Sequence, residues 1–381
     1  MLYKEFLENK PLFYDEIDYQ RMPRIWQKIK SNFKIGKIIH IVGTNAKGST
    51  GRFIAWYLYK SGLKVGHYSS PHILNFNERI WYNGKDIDDL SLQKAHKYLF
   101  DILEIDDLKS LSYFEYTTLM AMYILQDCDY IVLEAGLGGE FDATQVFEKY
   151  LSVITPIGYD HQEFLGNNIE DIALTKLRSI QKKAIISKQP YDEVSQIIER
   201  LSKSKDLEIQ FYKNLINNED INSVESFALR KNIPDFLKDN LLLSVSVLKY
   251  LDFKININYF DDLILFGRCQ KVSKNITIDV GHNVLAAKAL RKSFEGSKII
   301  LVYNSYKDKD YKEILNILKP VIERVEILPV NSKRIENISI IKQSIKDIKL
   351  KVKIFEKIDS KKQYLVFGSF LVVEEFLRKF V

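Results

Sequence analysis

Short apolar runs alternate with longer amphipathic stretches along most of the chain. Residues 37–42 and 130–134 are almost continuously apolar, which is typical of strands buried on both faces of a parallel sheet. Residues 151–157, 183–187 and 207–212 predict three further strands. Because stretches with helical spacing lie between these runs, the pattern predicts an α/β fold built on a parallel sheet.

The helices of this first part are bounded by the spacing of their apolar residues. They are predicted at residues 53–60, 88–108, 113–126, 170–180, 192–202 and 235–251. Residues 3–35 predict helices and a lid before the first strand, and residues 64–72 predict a short strand with a polar end. Residues 213–233 are polar and rich in asparagine, which favours a connection or a small excursion.

The alternation of strands and helices restarts after residue 256. Strands are predicted at residues 275–280, 298–303, 325–330, 351–358 and 364–367, and helices at residues 285–294, 311–321 and 338–348 and at the C-terminus. This second series predicts a smaller doubly wound domain. We place the boundary near Phe266, which gives domains of residues 1–265 and 266–381.

A glycine-containing turn follows the first strand and has the chemistry of a phosphate cradle. Polyphosphate needs inward-pointing backbone N–H groups, a helix N-terminus and a cation. Lys47 can reach the outer phosphates, and the hydroxyls of Ser49 and Thr50 suit Mg²⁺. The order of residues differs from the usual Gly-Lys-Ser/Thr ending, because the lysine precedes the second glycine. The turn comprises Gly43, Thr44, Asn45, Ala46, Lys47, Gly48, Ser49 and Thr50.

Two further strand ends carry candidate metal ligands. Glu134 ends an apolar strand and precedes a loop with three glycines in four residues, as the Mg²⁺-holding acid of nucleotide sites does. His161 follows another strand beside Asp160, so we interpret it as a ligand rather than a packed side chain. Because the carboxyl ends of parallel strands share one edge, these groups are expected to meet.

Composition and charge narrow the class of protein. Of the 381 residues 46% are hydrophobic, which is enough for large cores, and no apolar run reaches the roughly 18 residues of a membrane span. The net charge of +6 arises from intermixed charges, which fits a small anionic substrate better than nucleic acid. Two distant cysteines and an N-terminus without an apolar core favour a cytoplasmic protein without a signal peptide.

Ten short motifs are spread over nearly the whole chain. In the first half they are GTNAKGST from Gly43, YSSPH from Tyr68, NERI from Asn77, FEYTT from Phe114 and LEAGLGGEFDAT from Leu133. The others are DHQEFLG from Asp160, GR from Gly267, DVGHN from Asp279, KDKD from Lys307 and VFGSF from Val366. Each motif alone is weak, whereas the ordered set is specific. Together the motifs resemble the folylpolyglutamate synthase and dihydrofolate synthase family of the Mur ligases.

The resemblance implies a P-loop, Mur-ligase-type domain with a parallel sheet and a smaller C-terminal Rossmann-like α/β domain. It also implies an ATP-dependent ligase. ATP would phosphorylate a carboxylate, and the amine of L-glutamate would displace phosphate from the acyl phosphate. The acceptor would be dihydropteroate, a reduced folate or both. Joining anions in this way requires charge neutralisation by Mg²⁺, lysine and arginine.

Site roles follow from the resemblance at matching positions. Lys47, Lys176 and His161 would be catalytic. Two Mg²⁺ ions would be held by Ser49, Ser70, Glu134, His161 and Lys176, the last of which matches a lysine that many members carry as a carbamate. The nucleotide would also contact Asn240, Arg268, Asp279 and His282. The pteridine would lie near residues 70–78, with Ser70, Pro71, His72 and Glu78 as substrate residues. Members are commonly monomers.

Six residues, at four places in the chain, depart from the family pattern. Ala46 replaces a common glycine, and Glu140 replaces an arginine. Leu177-Arg178-Ser179 replaces Ala-Gly-Ile after Lys176, and Gly281 stands where many relatives have alanine.

Three other classes of protein compete with this interpretation. A muropeptide ligase usually has an added N-terminal domain, for which a phosphate turn at Gly43 leaves little room. A kinase or GTPase should show Gly-Lys-Ser order and gives no reason for the second domain. A non-catalytic nucleotide-binding regulator is the third class, and turnover assays distinguish it.

Overall fold

A computed structural model describes residues 2–11 and 18–381; residues 12–17, part of the predicted lid, lie outside the described residues. The first sheet has eight strands in the order β4-β3-β2-β5-β1-β6-β7-β8. Its strands are β1 (Lys37–Val42), β2 (Val65–Tyr68), β3 (Ile80–Tyr82), β4 (Lys85–Asp86), β5 (Tyr130–Glu134), β6 (Leu151–Ile154), β7 (Lys183–Ile186) and β8 (Glu208–Phe211). Only the β2-β3-β4 edge is antiparallel.

The helices up to residue 250 surround this sheet. They are α1 (Tyr3–Glu8), α2 (Arg21–Ile29), α3 (Lys47–Lys60), α4 (Asp89–Ile102), α5 (Ile105–Ser110), α6 (Tyr113–Leu125), α7 (Gln162–Leu165), α8 (Ile169–Leu177), α9 (Asp192–Ser204), α10 (Asn218–Lys231) and α11 (Asp235–Tyr250). Short 3₁₀ turns lie at Lys30–Asn32, Phe76–Arg79, Ala143–Val146, Tyr212–Asn214 and Ile257–Phe260. Within the described part of the chain, no helix is long and apolar enough to span a membrane.

The second sheet has six strands in the order β13-β12-β11-β14-β10-β9, and only β9 is antiparallel to its neighbour. Its strands are β9 (Gln270–Ser273), β10 (Ile276–Ile278), β11 (Ile299–Tyr303), β12 (Ile322–Ile327), β13 (Val352–Ile354) and β14 (Tyr364–Phe367). The helices are α12 (Val284–Ser293), α13 (Tyr311–Leu318), α14 (Ile338–Asp347) and α15 (Phe370–Phe380), with a 3₁₀ turn at Lys319–Val321. The predicted α/β fold class is confirmed. The division near Phe266 stays a prediction.

The prediction for residues 213–233 was wrong, because helix α10 occupies most of them. Asn217 caps the helix by accepting a hydrogen bond from the N–H of Asp220, whose side chain reaches back to the cap. Buried Val224, Phe227 and Ala228 then recur at helical spacing, and Val224 and Phe227 pack in the cluster that includes α3 and α11. Polar residues on the outer face had masked this stripe.

Smaller differences concern the ends of elements. Helix α3 begins at Lys47 rather than at residue 53, so the lysine and the hydroxyls belong to its first turn. The helix predicted at residues 88–108 is two helices, α4 and α5. The strands β3, β4 and β9 were not predicted, because short antiparallel edge strands have little apolar pattern.

The sheet order places three loops beside one another. Strand β1 pairs with β5 on one side and with β6 on the other, and all three run parallel. The segments that follow these strands, at residues 43–46, 135–142 and 155–161, therefore leave the same edge of the sheet. The loop after β2 reaches the second sheet, where Ile73 is buried in a cluster with Ile278 and Val280.

Candidate active site

The turn after β1 has a close backbone approach at its first residue. A Cβ atom on Gly43 would lie 2.0 Å from the hydroxyl oxygen of Thr155 and 2.9 Å from its carbonyl oxygen, so only glycine fits. Ala46 has φ of 70°, a left-handed conformation that costs an alanine about 1–2 kcal/mol. The replacement of glycine at this position therefore retains the bent backbone at an energetic cost.

Lys47 begins helix α3 and curls back over the turn. Its Nζ donates hydrogen bonds of 3.2 Å to the carbonyl oxygens of both Gly43 and Thr44. The same nitrogen lies 3.9 Å from Oε1 of Glu134 at the end of β5. A mobile cation thus stands at a helix N-terminus beside a carboxylate, which is the environment that a metal-bound phosphate requires.

The two hydroxyls of the first helical turn differ in position. Ser49 lines the main cavity, and its Oγ accepts a 2.8 Å hydrogen bond from Nδ2 of Asn240 on α11. Asn240 was predicted to contact the nucleotide, and in the structure its side-chain amide forms a hydrogen bond with Ser49. Thr50 is fully buried and does not line this cavity.

Glu134 is a buried carboxylate at the strand end, with 5% of its surface exposed. Burial raises its pKa, while Lys47, Arg268 and a hydrogen bond from the N–H of Ser70 oppose that rise. A Cβ atom on Gly48 would lie 3.5 Å from Arg268 and 3.5 Å from Glu134, so both groups meet above the start of α3.

Lys176 on α8 is buried rather than solvated, with 4% of its surface exposed. Its Nζ donates a 3.3 Å hydrogen bond to the carbonyl oxygen of Gly43. Burial, together with the charge of Lys47, lowers the pKa of Lys176 to about 7. A large fraction of this amine is therefore uncharged at neutral pH.

A polar network joins the loop after β6 to the second sheet. Oδ1 of Asp160 accepts a 2.7 Å hydrogen bond from Lys309, and its Oδ2 accepts one of 3.0 Å from Asn283. Nε2 of His282 lies 3.8 Å from Asp160. Burial alone would raise the pKa of Asp160, but His282, His161 and Lys309 outweigh burial and hold it well below its usual range.

His161 follows directly and has φ of 52°, in the left-handed region. Burial lowers its pKa to about 4, although Asp160 acts in the opposite direction. The imidazole is therefore neutral at physiological pH and offers a nitrogen lone pair.

The loop of the second sheet that begins at Asp279 is held by that carboxylate. Its two oxygens accept hydrogen bonds from the backbone N–H groups of Cys269, at 2.8 Å, and Gly281, at 2.7 Å. Burial raises the pKa of Asp279, and Arg268 opposes this. Asp279 thereby shapes the segment that presents His282.

The predicted substrate residues separate into two groups. Ser70 and Pro71 line the main cavity, whereas His72 and Glu78 do not. The Glu78 carboxylate accepts hydrogen bonds of 2.7–2.9 Å from three consecutive backbone N–H groups, those of Ile73, Leu74 and Asn75. His72 accepts a 2.8 Å hydrogen bond from Arg79. Both residues organise the loop from within.

The main cavity has a volume of about 770 Å³ and lies between the two sheets. It unites most of the predicted site: Gly43, Thr44, Asn45, Ala46, Lys47, Gly48, Ser49, Ser70, Pro71, Glu134, His161, Lys176, Asn240, Arg268, Asp279 and His282. Side chains from both sides meet directly, since Asn45 and Asn283 exchange hydrogen bonds of 3.0 and 2.8 Å.

Three residues of this network, Asp160, Asn283 and Lys309, were not predicted from the sequence to have a role. All three lie in quoted motifs, so a signal was present. Their partnership required knowledge of the fold, because Asp160 and Lys309 are 149 residues apart in the chain. Asp142 was also missed; it accepts hydrogen bonds from the N–H groups of Gly136 and Leu137 and fixes the glycine loop.

Comparisons with known proteins identify relatives that match nearly the whole chain. Dihydrofolate synthase/folylpolyglutamate synthase of Haemophilus influenzae is 30% identical over 362 residues, which are 84% of this chain and 80% of that protein. The structure of Helicobacter pylori folylpolyglutamate synthetase is 39% identical, covers 98% of this chain and 97% of its own, and has a TM-score of 0.79.

A bifunctional folylpolyglutamate synthase/dihydrofolate synthase from Yersinia pestis, solved with AMPPNP and Mn ion, has a TM-score of 0.82. It is 22% identical and covers 99% of this chain and 96% of its own, so it shows the shared fold. No model of a protein family matches the chain. The identity and coverage of the full-length relatives nevertheless show that the chain belongs to the dihydrofolate synthase/folylpolyglutamate synthase family.

Proposed function

We propose that the chain is an ATP-dependent amide ligase that adds L-glutamate to dihydropteroate, to a reduced folate or to both through an acyl phosphate. Membership of the family supports the reaction class. The observation that carries the proposal is the meeting, in one cavity, of a phosphate-type turn with Lys47 and basic residues of the second sheet. Such a cleft can hold ATP and two carboxylate substrates while neutralising their charge.

The nucleotide phosphates would lie on the N–H groups at the start of α3. Lys47 would leave the carbonyl oxygens of Gly43 and Thr44 and turn to the outer phosphates, a short movement because it already lies over the turn. Arg268 and His282 would contact the nucleotide from the second sheet. The site would then be complete only when both sheets close on ATP.

The residues around Glu134 fit Mg²⁺. Among residues 2–11 and 18–381, no three His, Cys, Asp or Glu side chains are grouped as a metal site. Mg²⁺ does not need such a group, because it binds one or two carboxylates together with phosphate oxygens and water. Glu134, Ser49 and Ser70 would hold one ion, and His161 with Lys176 a second. When bound, Mg²⁺ would stabilise the charge that develops on the transferred phosphoryl group.

Lys176 suits modification to a carbamate. A free ammonium would repel Mg²⁺, whereas a carbamate supplies an anionic oxygen. Carbamate formation requires an uncharged amine, and the burial of Lys176 beside Lys47 provides it. We assign His161, with its neutral ring, as the nitrogen ligand of the same ion.

The acceptor would enter along Ser70 and Pro71. The roles of His72 and Glu78 would be indirect, because the hydrogen bonds of both side chains support the loop itself. Cys128 and Cys269 are free thiols, which supports a reducing compartment, and we therefore place the enzyme in the cytoplasm. We also propose that it is a monomer that uses small-molecule substrates. It would bind neither nucleic acid nor membrane.

Phosphate release tests the proposed function. The purified chain, ATP, Mg²⁺ and L-glutamate are combined with dihydropteroate or with tetrahydrofolate, and the product is identified by mass. We expect release that depends on at least one acceptor and a product heavier by one glutamate. If neither acceptor stimulates release above the ATP-only rate, the chain is not this ligase and a nucleotide-binding regulator is favoured.

The metal assignment predicts a changed Mg²⁺ requirement. Glu134→Gln keeps the shape and removes a charge, and His161→Ala removes a neutral nitrogen. Both should raise the Mg²⁺ concentration that gives half-maximal activity, Glu134→Gln more strongly because it loses charge as well as a ligand atom. Exposed Glu163 supplies the control, and Glu163→Gln should leave the titration unchanged. Unaltered titrations in both site variants would refute the assignment.

A further inference from the structure

A second cavity of about 470 Å³ adjoins the main one and is not used by the proposed mechanism. The two cavities share Gly48, Ser70, Glu134 and Arg268, so a ligand at the reacting centre can extend from one into the other. The remaining walls of the second cavity come from helix α3, from the β2-β3-β4 edge, from the loop after β2, from residues 262–266 and from Phe370 at the start of α15.

Arg52 lines this cavity one turn after the phosphate cradle. Its guanidinium lies 4.9 Å from the ring centroid of Trp81. Within residues 2–11 and 18–381, its side chain makes no hydrogen bond or ion pair, and Asp86 attracts it only from beyond ion-pair distance. Burial lowers the pKa of Arg52 to about 10, so it remains a cation at neutral pH.

His67 lines the same cavity and is 1% exposed. Neither of its ring nitrogens has a hydrogen-bond partner in the described part of the chain. Burial, aided by the charge of Arg52, holds its pKa well below the usual value, so the ring is neutral. A buried neutral imidazole without a partner can donate one hydrogen bond to a ligand, and it is unfavourable until it does so.

Three of the four carboxylates that line this cavity in the described part of the chain have other partners, and Asp86 is the fourth. Glu78 accepts three hydrogen bonds from backbone N–H groups. Asp262 lies 3.6 Å from Lys60, and Glu134 lies 3.9 Å from Lys47. The guanidinium of Arg52 is thus available to a ligand.

We propose that Arg52 and His67 form a subsite for the α-carboxylate of a glutamyl unit. This inference rests on the proposed ligase function, in which both incoming L-glutamate and a folate acceptor carry that group. A guanidinium binds a carboxylate through two parallel hydrogen bonds, and stacking on Trp81 fixes its plane. Dihydropteroate lacks a glutamyl carboxylate. The subsite would therefore bind the α-carboxylate of either the incoming amino acid or the glutamyl tail of a folate.

Steady-state kinetics of Arg52→Ala test the subsite. The KM values for L-glutamate, dihydropteroate and tetrahydrofolate are measured with the other substrates saturating. Loss of a charge-assisted, two-point contact should raise the affected KM about 10- to 100-fold while the KM for ATP stays unchanged. A higher KM for L-glutamate with either acceptor identifies the amino acid. A higher KM for tetrahydrofolate alone identifies the acceptor tail.

Two controls separate binding from folding. Arg52→Lys keeps a charge but loses the planar fork, so it should raise the same KM by a smaller factor; it decides the outcome if Arg52→Ala does not fold. Lys64→Ala removes an exposed cation that does not line the cavity and should change no KM. Unchanged KM values in a folded Arg52 variant overturn the proposal.

A binding experiment does not depend on turnover. Trp56 and Trp81 both line the cavity, so tryptophan fluorescence is followed while L-glutamate or γ-glutamylglutamate is added. We expect a saturable change with at least one compound that is lost in Arg52→Ala. An inactive wild-type protein that shows this change would refute the ligase function alone, whereas no change with either compound would refute the subsite.

Discussion

Lys47→Ala should abolish most turnover while leaving the fold intact. The structure places the ammonium group over the turn, 3.2 Å from two carbonyl oxygens and 3.9 Å from Glu134. This is the position that we propose for the outer phosphates of the nucleotide. Removal of one preorganised electrostatic contact from a water-poor site typically lowers kcat by about 10²- to 10³-fold. Phosphate release at saturating ATP, acceptor and glutamate measures this loss.

The far end of the same helix offers a matched control. Lys60 ends α3 and lies 3.6 Å from exposed Asp262. Lys60→Ala removes the same charge from the same helix and should keep wild-type kcat. Thermal unfolding should show both variants folded. A Lys47→Ala enzyme with near-normal kcat would disprove the phosphate role.

Lys176→Ala should be nearly inactive if the lysine supplies an anionic metal ligand. The side chain is buried against the carbonyl oxygen of Gly43, and burial lowers its pKa to about 7. Above that pH the amine is mostly uncharged and can react with carbon dioxide. We therefore expect activity at pH 8 to fall when bicarbonate and carbon dioxide are removed, and to return when they are restored.

Chemical rescue distinguishes this role from packing. Acetate or propionate should partly restore Lys176→Ala by supplying the missing anion. Lys176→Arg should resist rescue, because its guanidinium keeps positive charge in the site. Exposed Lys182 gives a nearby control, and Lys182→Ala should behave as wild type. Wild-type turnover by Lys176→Ala would show that no carbamate is needed.

The sequence predicted elements best where the local pattern reports burial. Strands β1 and β5 agree with their predicted bounds at both ends, since strands at the centre of a parallel sheet are apolar on both faces. The prediction missed helix α10 because its apolar residues form only a narrow stripe among polar ones. Judged by its overall composition and not by the spacing of its apolar residues, such a segment resembles a loop. Helix α11, against which α10 packs, lies later in the chain.

The sequence predicted the environments of individual side chains less well than it predicted the elements. Sequence left Lys176 between a solvated and a buried position, and the fold decided it, because β1 and α8 bring Gly43 and Lys176 together from 133 residues apart. Glu78 resembled a substrate contact, yet its carboxylate turned out to hold three N–H groups of its own loop.

By itself, the sequence determined the fold class, most of the central strands and helices, the phosphate-type turn and the acid at Glu134. These features are local, because a strand end, a glycine turn and a helix start are adjacent in the chain. Only the tertiary structure decided that Asp160 meets Lys309 and that Arg52 faces an open cavity. Such facts depend on which distant segments pack together, and hydrophobic periodicity carries no information about that choice.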